Sequence, residues 1–359
     1  MVILHIARSK NYNYNGVHVV VPKHVEHQAE FATVGFINIL NVKINGANNQ
    51  IDYKSPFKIE NLPTPFNKPD LVVFHEVYWK TYLQIGKNLK QNNIPYIIIP
   101  HGTLTQGAQK KKWLKKKVAN FLLFNRFING AAAIQCLSER ELEATLFGKN
   151  KFIGTNGIEI PNICKHTFND DKINFTYIGR LDPNHKGLDL MIKAIALKEE
   201  ILFENKCEFS IYGPDQFGYV EKLNKLLTEN LTKELVKLNS ALYGEEKEQT
   251  LLNSDIFIQT SRFEGMPMGI LEALSYGIPC LVTKGTGLGD LIQKYDAGWV
   301  AETNAEDIAR VLTVAIQEKT LYPQKGANAR RLVEENFSWS TVAKSTIEKY
   351  QSLIYKNMG

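Results

Sequence analysis

The sequence predicts an α/β protein of two domains built on parallel sheets, and three observations lead there. The chain has 359 residues, more than one hydrophobic core usually serves, so two domains of about 150–200 residues are expected. Short apolar runs alternate with amphipathic stretches along the chain, the pattern of strands and helices in a sheet covered on both faces. The stretch Ser261–Pro279 lies between two bulky apolar runs, Ile256–Thr260 and Cys280–Thr283, and reads as loop and helix set between two buried strands.

In chain order, Val2–Ile6 is the first buried strand, and the polar segment Ser9–Gly16 is the loop at its carboxyl end. Further strands are expected at Leu71–Phe74, Tyr96–Ile99, Ala131–Ile134 and Phe152–Gly154, with an amphipathic stretch at Tyr82, Leu83, Ile85 and Leu89. Ser138 and Glu141 form a capping box for a helix ending near Gly148. His101 follows the strand Tyr96–Ile99, where a parallel sheet presents ligands, although a lone histidine is more often a surface or satisfied core residue. Lys110–Lys117 packs six lysines around Trp113 and Leu114 and runs on into Val118, Phe121, Leu122 and Phe124. Two readings of it stay open: a basic amphipathic helix for an anionic membrane surface, or the solvated face of a core helix.

In the second half, Asn162–Lys172 reads as a linker and Phe175–Ile178 as a strand. Gly179–Gly187 follows, and then a helix with Leu188, Met191, Ile192 and Ile195 on one stripe. Arg180 and Lys186 thus share one loop between a strand end and a helix start. That pairing suits a diphosphate, with a forked guanidinium, a mobile ammonium and backbone N–H groups together. Phe209–Gly213 and Leu242–Gly244 are further strand ends closed by glycine, and Ser340–Lys356 is helical by pattern. In Ser261–Pro279, Ile270, Leu271 and Leu274 recur at helical spacing, and Gly277 with Pro279 ends the helix. Glu264 is placed at the end of the strand and Glu272 about one turn into the helix, bracketing the loop Gly265–Gly269, which suits an anionic ligand.

These residues carry a resemblance. Ser261–Pro279, with Glu-Gly after the strand, Glu-Ala-Leu in the helix and Gly-Ile-Pro beyond it, resembles the Glu-x7-Glu motif of glycosyltransferase family 4. Gly179-Arg180 with Lys186-Gly187, and Asn156-Gly157-Ile158, resemble that family's Gly-Arg-x5-Lys-Gly and domain-junction motifs. The resemblance implies two Rossmann-like domains facing each other across a cleft, the GT-B fold. Their spans are expected as 1–160 on the acceptor side, with a helix at about 342–359 packing back on it, and 161–341 on the donor side. It implies retaining transfer of a sugar from a nucleoside-diphosphate sugar, UDP-sugar favoured, to a glycan or polyprenyl-linked saccharide in bacterial surface polysaccharide synthesis. It assigns Glu264 to the transferred sugar and Glu272 to the donor ribose, Arg180 and Lys186 to the diphosphate, and His101 to the sugar. Gly265, Met266, Met268, Gly269, Tyr243 and Gly16, the one glycine kept in a loop that carries two in the family, are its further expected donor contacts.

Composition narrows the alternatives. Four widely spaced cysteines, Cys136, Cys164, Cys207 and Cys280, read as reduced core residues rather than a disulfide or zinc framework. Neither a signal peptide nor an apolar run of 18 residues is present, so the expected location is cytoplasmic, peripheral on the inner face of the cell membrane. Walker-A and Gly-x-Gly-x-x-Gly motifs are missing, which argues against triphosphatases and dinucleotide dehydrogenases. There is no Asp-x-Asp, so no metal and no cofactor are expected; a net charge of +6 favours anionic partners in general, and no nucleic acid is expected among them. A sugar-nucleotide epimerase of the same fold and a non-catalytic protein that binds anionic surfaces are the competing readings.

Overall fold

A computed structural model describes residues 1–11, 16–47, 49–106, 109, 123–169, 171–264 and 266–358. The chain divides into two compact units, 1–157 with 339–359, and 158–338.

The first unit is a seven-stranded parallel sheet. Its strands are β1 Val2–Ala7, β2 Thr33–Asn38, β3 Gln50–Asp52, β4 Leu71–His75, β5 Tyr96–Ile99, β6 Ala133–Cys136 and β7 Lys151–Ile153, ordered β3-β2-β1-β4-β5-β6-β7. The order reverses between β1 and β4, the switch point where doubly wound sheets bind ligands at the carboxyl ends of their strands. Side chains alternate across the sheet. Leu4, Ile6, Val72, Phe74 and Ile98 face one way, against Tyr82, Ile85 and Leu89 of the helix Lys80–Gln91 and against Phe127. Ile3, Val73, Ile97 and Ile99 face the other way, against Val21 and Val25 of the helix Gly16–Gln28 and against Ile347 and Tyr350 of the C-terminal helix Trp339–Met358.

The second unit is a six-stranded parallel sheet of β8 Ile173–Ile178, β9 Cys207–Tyr212, β10 Val236–Asn239, β11 Ile256–Gln259, β12 Cys280–Thr283 and β13 Gly298–Ala301. The order β10-β9-β8-β11-β12-β13 repeats the first sheet's plan, with its switch point between β8 and β11. One face packs on Leu188, Met191 and Ile192, Leu223 and Leu227, and Ile308 and Leu312. The other packs on Ile270, Leu271 and Leu274 of the helix Met268–Ser275, and on Leu332 and Val333. The architecture is therefore α/β, with two Rossmann-like units.

Several details differ from the sequence reading. The units change over at 157/158 rather than 160/161, because Ile158 already bonds to Phe337 and buries its side chain in the second unit. The stretch read as a linker is pinned to that unit: Lys165 N–H donates to the Tyr276 carbonyl, and Lys165 Nζ lies 3.3 Å from the fully buried Asp255. β6 begins two residues later than expected, and the helix after it ends at Ala144 rather than near Gly148. β11 ends at Gln259, five residues before Glu264, because Thr260 and Ser261 turn their polar groups to Gly187 and Thr283 instead of the ladder. All four cysteines are free thiols.

Candidate functional site

The switch point of the second unit gathers the charged residues. β8 and β11 are neighbours, and the chain leaves each at its carboxyl end into a polar loop, Gly179–Gly187 from the first and Thr260–Pro267 from the second. Gly187 ties the two loops together. Its φ of +65° favours glycine, and a Cβ on it would fall 1.9 Å from the Thr260 carbonyl oxygen. Thr260 Oγ1 donates back to the Gly187 carbonyl at 2.9 Å.

This close approach brings Lys186 to Glu264. Lys186 Nζ donates to Glu264 Oε1 at 2.7 Å, with the two side chains only 14% and 7% exposed. The same oxygen accepts from Ser261 Oγ at 2.5 Å and Gln259 Nε2 at 2.9 Å. A carboxylate this buried needs such partners, since an unpaired one would carry a desolvation cost of several kcal/mol. Arg180 donates to His185 Nδ1 at 3.1 Å, and His185 lies 4.2 Å, ring centre to ring centre, from the exposed Phe263. Burial lowers the His185 pKa, with Lys186 and Arg180 adding to the shift and Glu264 opposing it. Arg262 braces the loop from outside through a bidentate pair with Asp189 at 2.7 and 2.8 Å and a bond to the Asn184 carbonyl.

Glu272 lies apart from Glu264, half-buried in the helix Met268–Ser275, and pairs with Lys247 of the helix Gly244–Leu252. Tyr243, the residue just before that helix, makes no side-chain capping bond and is 65% exposed. Gly269 lets the motif helix approach the end of β8, since a Cβ there would sit 3.1 Å from the Ile178 carbonyl oxygen. Met266 and Met268 are partly buried against the core beneath. Gly265 lies outside the described residues. No side chain caps the helix at Pro267, so a ligand there would meet backbone N–H groups and the positive end of the helix dipole.

At the switch point of the first unit, His101 follows β5 in a left-handed conformation, φ 49°, and Glu76 follows β4 with φ 66°. Such backbone at a strand end costs energy and persists where the surroundings hold it. They do so here. Gly102 N–H donates to Glu141 Oε1 at 2.5 Å, Leu137 N–H donates to Glu141 Oε2 at 2.7 Å, and Glu76 Oε2 accepts from Trp79 at 2.8 Å. Glu141 therefore does more than the capping role expected of it, although its N–H does donate to Ser138 Oγ. His101 Nε2 bonds to His75 Nδ1 at 3.1 Å. Gly16 opens the helix Gly16–Gln28 beside this face, while residues 12–15 and the lysine run 110–117 lie outside the described residues.

Sequence reasoning missed Lys247, His185, Ser261 and Gln259 in the second unit and His5, His75 and Glu141 in the first. Only His5 and His75 left a signal, each a histidine inside an otherwise apolar strand. Among the described residues no cluster of His, Cys, Asp or Glu could hold a metal ion, and no helix is long and apolar enough to cross a membrane. A cavity of about 790 Å³ lies at the opposite, amino end of the first sheet, with Lys87, Lys90 and Arg126 around Leu83, Leu123 and Phe127.

Residues 161–332, nearly all of the second unit, match the family of glycosyl transferases group 1. An Escherichia coli UDP-Gal:alpha-D-GlcNAc-diphosphoundecaprenol alpha-1,3-galactosyltransferase is 29% identical over 46% of this chain and 41% of its own length. This chain thus spans less than half of that relative. An uncharacterised 41.2 kDa protein in the cps region of Klebsiella pneumoniae is 22% identical over 80% of each chain. The crystal structure of Anabaena HepE in complex with UDP shares the fold, with a TM-score of 0.70, 16% identity, and coverage of 98% of this chain and 100% of that one.

The buried histidines generate a prediction for stability. Burial lowers the pKa of His5 to about 3 and of His24 to about 4, and holds that of His75 well below the ordinary value. The unfolded chain, with histidines near 6.5, therefore takes up protons first as the pH falls. Stability is complete above about pH 6.5 and is lost on acidification toward the folded values. Each group so lowered adds up to about 1.4 kcal/mol per pH unit to the slope below pH 6. Denaturant unfolding followed from pH 7 to 5 should show this loss, and replacing His24 by Gln should reduce the slope.

Proposed function

We propose that the protein is a retaining glycosyltransferase that moves a sugar from a nucleoside-diphosphate sugar, UDP-sugar favoured, to a glycan or polyprenyl-linked saccharide in bacterial surface polysaccharide synthesis. The observation that carries this reading is the Lys186–Glu264 pair, with Arg180 in the same loop as Lys186, at the switch point of a sheet that matches group 1 glycosyl transferases. Its support from relatives is the UDP-Gal transferase acting on a diphosphoundecaprenol substrate and the UDP complex of HepE.

The chemistry follows from the charges. Departure of a nucleoside diphosphate places negative charge on its bridging oxygen, and Arg180 and Lys186 supply positive charge at that end of the site. Lys186 is the ammonium that neutralises Glu264, and a diphosphate would compete for it and loosen that pair. Glu264 would then accept hydrogen bonds from the transferred sugar, while Glu272, paired with Lys247, would hold the ribose. The role proposed for His101 is a hydrogen bond to a sugar hydroxyl. The reaction as proposed draws its charge stabilisation from these cations, in a chain that has no Asp-x-Asp.

Calorimetry of UDP binding tests the core of the reading. Arg180→Ala and Lys186→Ala should each weaken binding by about 1.5–3 kcal/mol, and turnover should survive EDTA. Unchanged affinity in both variants, or activity restored only by a divalent ion, would refute it.

The two glutamates should separate kinetically. Glu264→Gln should lower kcat with little change in donor KM, since its contact is at the reacting sugar, whereas Glu272→Gln should raise donor KM. Two identical KM effects would overturn the division of roles.

Peripheral attachment to an anionic membrane is part of the proposal. Its support is the lysine run 110–117 in the sequence and the exposed Lys87, Lys90 and Arg126 around an apolar-walled cavity of the same unit. At about 1 kcal/mol per basic residue near an anionic surface, sedimentation with phosphatidylglycerol vesicles should show binding that falls with salt. Wild-type protein that ignores such vesicles at low salt would point to a soluble acceptor.

A further inference from the structure

Three strands of the first sheet deliver histidines along one diagonal. His5 on β1 is in register with Val73 on β4, His75 lies two residues beyond Val73, and His75 is in register with Ile99, two residues before His101. Two-residue steps keep a side chain on the same face of a sheet. The three imidazoles therefore climb from the core to the carboxyl edge on the face covered by the helix Gly16–Gln28. They bond in series: Gln28 Oε1 to His5 Nε2 at 3.0 Å, His5 Nδ1 to His75 Nε2 at 2.9 Å, and His75 Nδ1 to His101 Nε2 at 3.1 Å. His5, His75 and Gln28 are fully buried, and only His101 reaches the surface.

The direction of this row is fixed from its inner end. The Gly154 carbonyl can only accept, so the Gln135 amide turns its nitrogen to it at 2.9 Å and its oxygen to the Tyr350 hydroxyl at 2.6 Å. The Tyr350 proton is thereby committed to Gln135. Gln28 turns its amide oxygen to His5 Nε2 at 3.0 Å, and an amide oxygen can only accept. His5 must then donate through Nε2 and accept through Nδ1. His75 must do the same, and so must His101.

We infer that Gln28, His5 and His75 are positioning residues that lock His101 into one neutral tautomer, Nε2–H inward and the Nδ1 lone pair outward, so that it accepts a hydrogen bond from a ligand hydroxyl. The row is a lock and not a proton relay, because it ends at an amide in the core with no acceptor that could pass a proton to water. The left-handed turn at His101, braced by Glu141 through Gly102, holds the ring from the backbone side. The role of the hydroxyl partner rests on the proposed sugar transfer, whereas the tautomer itself does not.

The test is long-range ¹⁵N–¹H correlation on histidine-labelled full-length protein at pH 7, without nucleotide. The expected result is a single Nε2–H pattern for His101, assigned by its loss in His101→Gln. His75→Leu and, separately, Gln28→Leu should each replace it with a mixture of the two tautomers, while the dispersion of the remaining amide signals persists. An Nδ1–H or mixed pattern in the wild type overturns the inference outright, even where neither variant folds. An unchanged His101 pattern in a folded His75→Leu variant overturns it as well. The proposed transfer fails separately: a locked His101 in a protein that binds no UDP would leave the lock standing and remove its sugar partner.

Discussion

Glu264 is a carboxylate taken almost out of water, and the carboxyl edge of the second sheet is arranged around supplying it with donors. One of its oxygens receives an ammonium, a hydroxyl and an amide, and each donor reaches it only because of a backbone constraint. Lys186 arrives because Gly187 lets its loop touch the Thr260 carbonyl. Gln259 and Ser261 arrive because β11 stops before Glu264 and turns. In a low-dielectric site these bonds are worth more than in water, and the loss of one leaves a larger deficit. Lys186 and Glu264 are thereby dependent on each other, since displacing the ammonium would leave a buried carboxylate one donor short.

The two units repeat one topology and fill its switch point with opposite chemistry. In the second, Lys186 meets Glu264 in the loops that leave the strand ends, and Lys247 meets Glu272 between two helices. In the first, the face is built from uncharged imidazoles in the strands themselves, with charge kept to the rim at Glu76 and Arg8, which stacks 4.4 Å over Trp79. Loops tolerate charge because water reaches them, while a strand interior admits a polar ring only if every nitrogen has a partner. The histidines of β1 and β4 meet that condition by serving one another.

Much of this was legible in the chain. Parallel sheets follow from apolar runs such as Leu71–Phe74 and Tyr96–Ile99, which recur as β4 and β5. The loops after β8 and β11 announce themselves because glycine, cations and carboxylates crowd into few residues. β2 and β3 left little signal: Gly35 in β2 stands where Phe66 needs the room, and β3 is three residues with two polar ones. The pairing of Lys247 with Glu272 was hidden because it joins two helices 25 residues apart with no motif in the first. His5 and His75 each stand out in an apolar strand, but the bond between them was hidden, since a hydrogen bond across 70 residues has no periodicity to betray it.

The C-terminal helix shows how far such dependence extends. It follows the second unit in sequence yet folds with the first, where Trp339 stacks on His27 and meets His24 edge-on, and Gly157 lies against its first turn. His24 in turn bonds to Asn156 at 3.0 Å, so the Asn-Gly pair before the junction reads as a packing device: Asn156 satisfies a buried imidazole and Gly157 makes room for an indole. Deeper in, Tyr350 of the same helix donates to Gln135 and lies in the core layer that holds Ile3 and Val73. The twenty residues of this helix thus cover the histidine layer through Trp339 and Tyr350. A chain lacking them would leave those imidazoles either hydrated or charged, and neither state is compatible with the dry face on which β1, β4 and β5 are packed.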